Sequence, residues 1–242
     1  MLKILILGGT QEAAELALKA ANLPHIEVKL SFAGRTSQVA SKNYRIGGFG
    51  GVAGLTQYLE VEKIDLLIDA THPFAAKISQ NAAIAAEKVG LPRLMLVRSA
   101  WESVTGDRWI EVENIQAAAA ILPGLAKRVF LTIGRQELTA FALVNVWFLM
   151  RAIEKPSPDI VLPKGLLLLD RGPFDKDLEK QLLHKYNIDT VVSKNSGGDA
   201  TYAKIIAARE LGIKVVMVKR AMLPQGELVE DVESALEWVK GF

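Results

Sequence analysis

The feature that most constrains this chain is a set of short apolar runs that do not alternate. Ile4-Leu5-Ile6-Leu7 and Leu166-Leu167-Leu168-Leu169 are the clearest. A strand with one wet face carries polar residues at every second position, whereas a strand covered on both faces is apolar throughout. Such strands belong to parallel sheets, and parallel neighbours need a crossover, usually a helix. The chain supplies those crossovers as alanine-rich stretches, among them Ala75 to Val89 and Ala200 to Leu211.

The rhythm runs the length of the chain. Strands are expected over 2–7, 26–31, 65–69, 93–97 and 109–112, with helices over 12–21, 52–62, 75–89 and 115–122. Further strands are expected over 128–132, 147–151, 166–169, 190–193 and 214–218, with helices over 176–186, 200–211 and 232–240. Repeated βαβ units close into open doubly wound sheets. The strands are too many for one sheet in 242 residues. The expected fold is therefore α/β, with two Rossmann-like lobes, largely parallel sheets and a ligand cleft between them. The first lobe is expected over 1–112 and the second over 113–242.

Composition removes several function classes. Half of the residues are hydrophobic and 23% are charged, so a core can form and disorder does not dominate. A net charge of +2 gives no general attraction for nucleic acid, and none is expected as a partner. The absence of cysteine excludes disulfides, thiolate metal sites and cysteine nucleophiles. Three scattered histidines give no metal cluster. The apolar run at Leu2 stops at Gly8, and no stretch reaches the ~18 apolar residues of a membrane span. No membrane contact is expected, and the expected location is cytoplasmic.

In open α/β sheets, ligands bind beyond the carboxyl ends of the strands. The first strand ends in Gly8-Gly9-Thr10-Gln11-Glu12-Ala13. A glycine turn into a helix presents backbone N–H groups to phosphate. Gly8 and Ala13 fit the outer positions of the dinucleotide fingerprint, with Thr10 in place of its middle glycine. The cofactor contacts expected here come from Gly8, Gly9, Thr10, Gln11 and Glu12. The second strand is followed by Gly34-Arg35-Thr36, with no acid to hold a ribose 2′-hydroxyl. Arginine there suits a 2′-phosphate, which tilts the expectation from NADH to NADPH. Gly47-Gly48-Phe49-Gly50-Gly51 lets backbone approach a ligand closely, and Gly48 is expected at the cofactor. Thr71 and His72 follow the strand at 65–69 and are placed toward the nicotinamide or the substrate.

In the second half, basic residues recur at strand ends. Arg98, Arg135, Arg151, Arg171, Lys194 and Arg220 are expected to line one crevice and attract a ligand with several carboxylates or phosphates. The turn Lys194-Asn195-Ser196-Gly197-Gly198 is a second anion-binding loop, and Thr201 and Tyr202 follow it.

Taken together, these stretches resemble the precorrin-6A reductase family of cobalamin biosynthesis. The matching segments are Leu7 to Thr10, Ala33 to Thr36, Gly47 to Gly51, Asp69 to Ala75, Gly134 to Leu138, Arg171 to Phe174, Lys194 to Gly198 and Thr201 to Lys204. The resemblance implies reduction of one ring double bond of precorrin-6A or cobalt-precorrin-6A, with hydride from NADPH or NADH. It implies a polycarboxylate tetrapyrrole as substrate, held by Arg135, Lys194, Asn195, Ser196, Gly197, Gly198, Thr201 and Tyr202. His72 and Tyr202 are the candidate proton donors, with water as their competitor.

Two other classes fit parts of the pattern. A uroporphyrinogen-III synthase-like enzyme also holds a polycarboxylate tetrapyrrole in an α/β fold but uses no redox cofactor, which leaves the Gly8 turn and Arg35 without a role. A non-catalytic NADP-sensing protein would leave the basic strand ends without one.

Overall fold

The structure is a computed structural model that describes residues 1–32 and 44–242. Gly34, Arg35 and Thr36 lie outside the described residues. The chain divides into two compact units, residues 1–99 with 221–242, and residues 100–220.

The first unit holds β1 (Leu2–Leu7), α1 (Gln11–Ala20), β2 (Ile26–Phe32), β3 (Tyr44–Ile46), α2 (Val52–Val61), β4 (Leu66–Asp69), α3 (Ala76–Val89) and β5 (Arg93–Leu96). It also takes the end of the chain, β12 (Glu227–Val229) and α7 (Val232–Lys240). All strand pairs are parallel, in the order β12-β5-β4-β1-β2-β3. The apolar run of β1 is explained by its two covered faces. Ile4 and Ile6 pack among Leu16, Val232 and Val239 beneath α1 and α7. Leu5 and Leu7 pack with Leu55, Leu59 and Ala82 beneath α2 and α3. All four are at most 2% exposed, and burying each side chain contributes roughly 1.5–3 kcal/mol.

The second unit holds β6 (Trp109–Val112), α4 (Ile115–Leu125), β7 (Arg128–Thr132), β8 (Trp147–Ala152), β9 (Gly165–Leu169), α5 (Lys176–Lys185), β10 (Thr190–Lys194), α6 (Ala203–Glu210) and β11 (Lys214–Val218). Its sheet is also parallel, in the order β6-β11-β10-β7-β8-β9. Phe130, Leu149, Val191, Val215 and Met217 face α5 and α6.

Both sheets follow the doubly wound order 3-2-1-4-5-6, but each takes its sixth strand from an unexpected place. The strand after β5 is β6, which pairs with β11 in the second sheet. The sixth position beside β5 is filled by β12, from the far end of the chain. The units therefore divide differently from the 1–112 and 113–242 expected from sequence. Nearness along the chain pointed β6 to the first sheet, and hydrogen-bond pairing puts it in the second.

Candidate functional site

The turn from β1 into α1 is built for close approach. A Cβ on Gly8 would lie 2.8 Å from Leu30 Cδ1 and 3.4 Å from Ala13 Cβ, so glycine there lets α1 pack against the sheet without displacing the Leu30 side chain. Gly9 has φ +121° and open space where a Cβ would point. Thr10 explains the missing middle glycine, because it caps α1. Its Oγ1 accepts from Ala13 N at 3.1 Å and donates to Ala70 O at 2.8 Å, joining the start of α1 to the end of β4. The N–H groups of Gly9, Thr10 and Gln11 have no protein acceptor among the described residues. They offer donors to an anion at the positive end of the helix dipole.

Glu12 places a carboxylate beside this turn. Burial acts to raise its pKa, but hydrogen bonds from its own backbone N–H and from Arg98 prevail and hold it below the usual carboxylate range. Arg98 Nη1 lies 2.9 Å from both carboxylate oxygens. This pairing offsets the repulsion that Glu12 would exert on a phosphate.

Beyond the ends of β1, β2, β3 and β4 lies a cavity of about 150 Å³. Its lining brings together three residues expected from sequence, Gly8, Gly48 and Thr71, with Phe49 of the same glycine loop and with Ser31 and Asn81, which were not named as contacts. Thr71 is buried, and its N–H and Oγ1 donate to Asp69 Oδ1 at 3.1 and 2.7 Å. His72 follows at the surface of the same turn. Its Nδ1 accepts from Phe74 N at 3.2 Å, which puts the proton of the neutral ring on Nε2.

Arg45 was also missed. It donates from Nη1 to Gly47 O and from Nη2 to Gly48 O at 2.9 Å. Its guanidinium lies 4.0 Å from the Phe49 ring centroid and 5.5 Å from that of Tyr58. With these carbonyls held by Arg45, the N–H groups of Gly48 to Gly51 keep no acceptor among the described residues. The only sequence signal was an arginine two residues ahead of a glycine cluster.

In the second unit the expected crevice of six basic residues is corrected. Arg98 belongs to the first unit and pairs with Glu12. Arg151 is buried, with Nη2 2.5 Å from Glu179 Oε1 and its guanidinium over Phe174 and Phe130. Arg220 donates to Asn195 O at 2.8 Å and Ser196 O at 2.9 Å. Arg135 Nη1 bonds Glu154 Oε2 at 2.5 Å. Lys194 pairs with Glu137, two residues beyond Arg135, which brings these two expected substrate contacts into one neighbourhood. Arg171 is exposed.

The turn after β10 centres on Trp101, another residue not singled out from sequence. The Asn195 side chain accepts from Trp101 N at 2.8 Å and donates to Trp101 O at 2.9 Å. Trp101 Nε1 donates to Gly198 O at 2.9 Å, and its ring lies 5.4 Å from that of Tyr202. The Tyr202 hydroxyl accepts from Arg209 Nη2 at 2.8 Å, and Arg209 is also paired with Asp107. The side chains of Asn195 and Tyr202 thus hold the turn together. Gly197 and Gly198, both with left-handed φ, leave their N–H groups without a protein acceptor among the described residues. Thr201 O accepts from Lys204 Nζ at 2.7 Å. No cluster of potential metal ligands occurs among the described residues, and none of their helices is long and apolar enough to cross a membrane.

A glycine turn opening α1 on a parallel 3-2-1-4-5-6 sheet is the frame of the dinucleotide-binding class of α/β proteins. The model of the family described as precorrin-6x reductase CbiJ/CobK matches residues 3–240. A precorrin-6A reductase of Rhodococcus erythropolis is 47% identical over 99% of this chain and 98% of its own. One from Rhodobacter capsulatus is 40% identical over 99% and 96%. A cobalt-precorrin-6A reductase of Priestia megaterium is 26% identical over 96% of both chains. A solved CobK precorrin-6A reductase superposes with a TM-score of 0.91, at 40% identity, covering 100% of this chain and 97% of that one. The chain belongs to the precorrin-6x reductase family and is an oxidoreductase.

Proposed function

We propose that this chain reduces a ring double bond of metal-free precorrin-6A, with NADPH as reductant. The observation that carries the reading is the open turn at Gly9, with its unaccepted N–H groups, in a chain of this family. Relatives named for the metal-free substrate are 40–47% identical, and those named for the cobalt form are 25–26% identical, which favours precorrin-6A.

The residues present fit a reduced nicotinamide dinucleotide. Its pyrophosphate suits the N–H groups of Gly9, Thr10 and Gln11, and glycine at 8 and 9 keeps that approach clear. When bound, the cofactor supplies the hydride. The chain supplies binding and orientation, which convert an encounter into a fixed geometry. NADPH is favoured over NADH because no acid stands between Phe32 and Arg35. Arg135, Lys194 and the N–H groups of Gly197 and Gly198 are assigned to substrate carboxylates. His72 and Tyr202 are the candidate proton donors to the ring carbon: His72 carries a proton on Nε2, and the Tyr202 hydroxyl, which accepts from Arg209, keeps its own proton to give.

Titration with NADPH and NADH tests the reading. Binding of NADPH in preference to NADH is expected. Binding of neither would move the chain to the synthase-like class, and binding without turnover of precorrin-6A would move it to the sensor class.

A further inference from the structure

The edge strands of the two sheets are β3, β12, β6 and β9, and the first three are blunted. β3 and β12 have three residues each and carry Arg45 and Glu227, and β6 carries Glu111, which pairs with Lys219. Short length and charge keep an edge from pairing with another chain. β9 has neither protection. It runs for five residues as Gly165-Leu166-Leu167-Leu168-Leu169, without a charge. Leu166 and Leu169 are 40% and 56% exposed, and Val161 and Leu162, just ahead of the strand, are exposed as well.

β9 bonds to β8 through alternate residues. Lys164 O accepts from Phe148 N at 2.9 Å, and Asp170 N donates to Ala152 O at 3.0 Å. The even-numbered residues therefore face β8. The N–H and C=O groups of Gly165, Leu167 and Leu169 face outward, with no backbone partner among the described residues.

The charges that bound the strand select what covers it. Lys164 and Asp170 stand at equal distances on either side of Leu167, and both are exposed. Lys164 has no ion-pair partner among the described residues, and Asp170 Oδ1 accepts only from the N–H of Arg171, at 2.9 Å. A second copy of the strand laid antiparallel, with the two Leu167 residues opposed, pairs Gly165 of each copy with Leu169 of the other. Every outward backbone group is then used. Lys164 of each copy opposes Asp170 of the other at a position without backbone bonds, where side chains stand closest. Twofold symmetry makes that ion pair twice and closes the assembly at two chains. Centring on Leu166 sets Lys164 against Leu168 and Leu169 against Pro163, which has no N–H. Centring on Leu168 sets Lys164 against Gly172.

We propose that β9 is a dimerisation edge, which pairs antiparallel about Leu167 with β9 of a second copy and joins the two second-unit sheets into one. Sedimentation of the full chain over a range of concentrations tests this. A monomer–dimer equilibrium with a dissociation constant below about 100 μM is expected. Lys164→Glu opposes two carboxylates at each end of the ladder, and Asp170→Lys opposes two ammonium groups. Each is expected to weaken the dimer roughly tenfold or more, with an unchanged circular dichroism spectrum. Mixing the two variants sets the introduced glutamate of one chain against the introduced lysine of the other, and the unchanged Asp170 against the unchanged Lys164. The mixture is expected to dimerise as tightly as wild type. A wild-type chain that stays monomeric, or a dimer that neither reversal weakens, would overturn the proposal. A mixture no tighter than the single variants would overturn the pairing about Leu167.

Discussion

Arg45 and Arg220 hold glycine turns in the same way, one in each unit. Arg45 donates to the consecutive carbonyls of Gly47 and Gly48, and Arg220 to those of Asn195 and Ser196. Both turns follow the carboxyl end of a strand, and both contain glycine pairs with positive φ. Holding the carbonyls on one side leaves the N–H groups on the other. Arginine suits this role because its fork offers two fixed donors at once.

Arg45→Met should therefore loosen the Gly47–Gly51 loop and weaken NADPH and NADH alike, by about 1–3 kcal/mol, the scale of a charged hydrogen bond. Calorimetric titration of both cofactors checks this. A selective loss of NADPH would instead assign Arg45 to the 2′-phosphate.

Gly9→Val should abolish cofactor binding in a folded protein. Nothing lies within 4 Å of the new Cβ, so packing survives. A β-branched residue at φ +121° carries strain of about 1–3 kcal/mol, small enough for the fold to tolerate. Its branches would stand where phosphate oxygens approach. An unchanged dissociation constant in the folded variant would remove the pyrophosphate from this turn.

Lys204 gives a dependence of stability on pH. Burial pushes its pKa down from 10.5 to about 7, with Arg151 adding to the fall and Glu179 opposing it. Between these values the folded chain holds Lys204 neutral while the unfolded chain holds it charged. Unfolding then takes up a proton, so this group's cost is greatest below pH 7 and fades as pH rises toward 10.5. Lys204→Met should be most favourable relative to wild type near neutral pH and lose that advantage in alkali. Urea midpoints of both proteins at neutral and alkaline pH measure it, and a pH-independent difference would contradict it.

The pair of Arg151 and Glu179 should show the asymmetry of buried charges. Glu179→Leu alone leaves the guanidinium buried and uncompensated, a loss of roughly 3–5 kcal/mol. Arg151→Met with Glu179→Leu should recover most of it. Denaturant unfolding of the two single variants and the double variant gives the coupling, and additive losses would show that the pair does not act as a unit.

Much of the fold was legible because strands such as β1 are covered on both faces, and Ile4 to Leu7 state that directly. What escaped was short and half-wet. β3 (Tyr44–Ile46) and β12 (Glu227–Val229) have three residues each, none fully buried, so no pattern marked them. The sixth-strand exchange was invisible because sequence nearness carries no information about which sheet β6 joins. At the site, Gly8, Gly48 and Thr71 were legible from their turns. Arg45, Asn81 and Trp101 were not, since an arginine on a strand, an asparagine inside a helix and a tryptophan in a loop have meaning only through what they touch. Among the basic strand ends, Arg98 and Arg151 misled for the same reason. Their charge could be read, but the carboxylates of Glu12 and Glu179 that answer it could not.

Anaerobic mixing of the chain with precorrin-6A and either NADPH or NADH tests the central claim most directly. Loss of reduced-nicotinamide absorbance is followed together with product mass. NADPH should be consumed in step with a product heavier by a hydride and a proton, and NADH should react far more slowly. Tight NADPH binding with no oxidation in the presence of precorrin-6A would contradict the assignment.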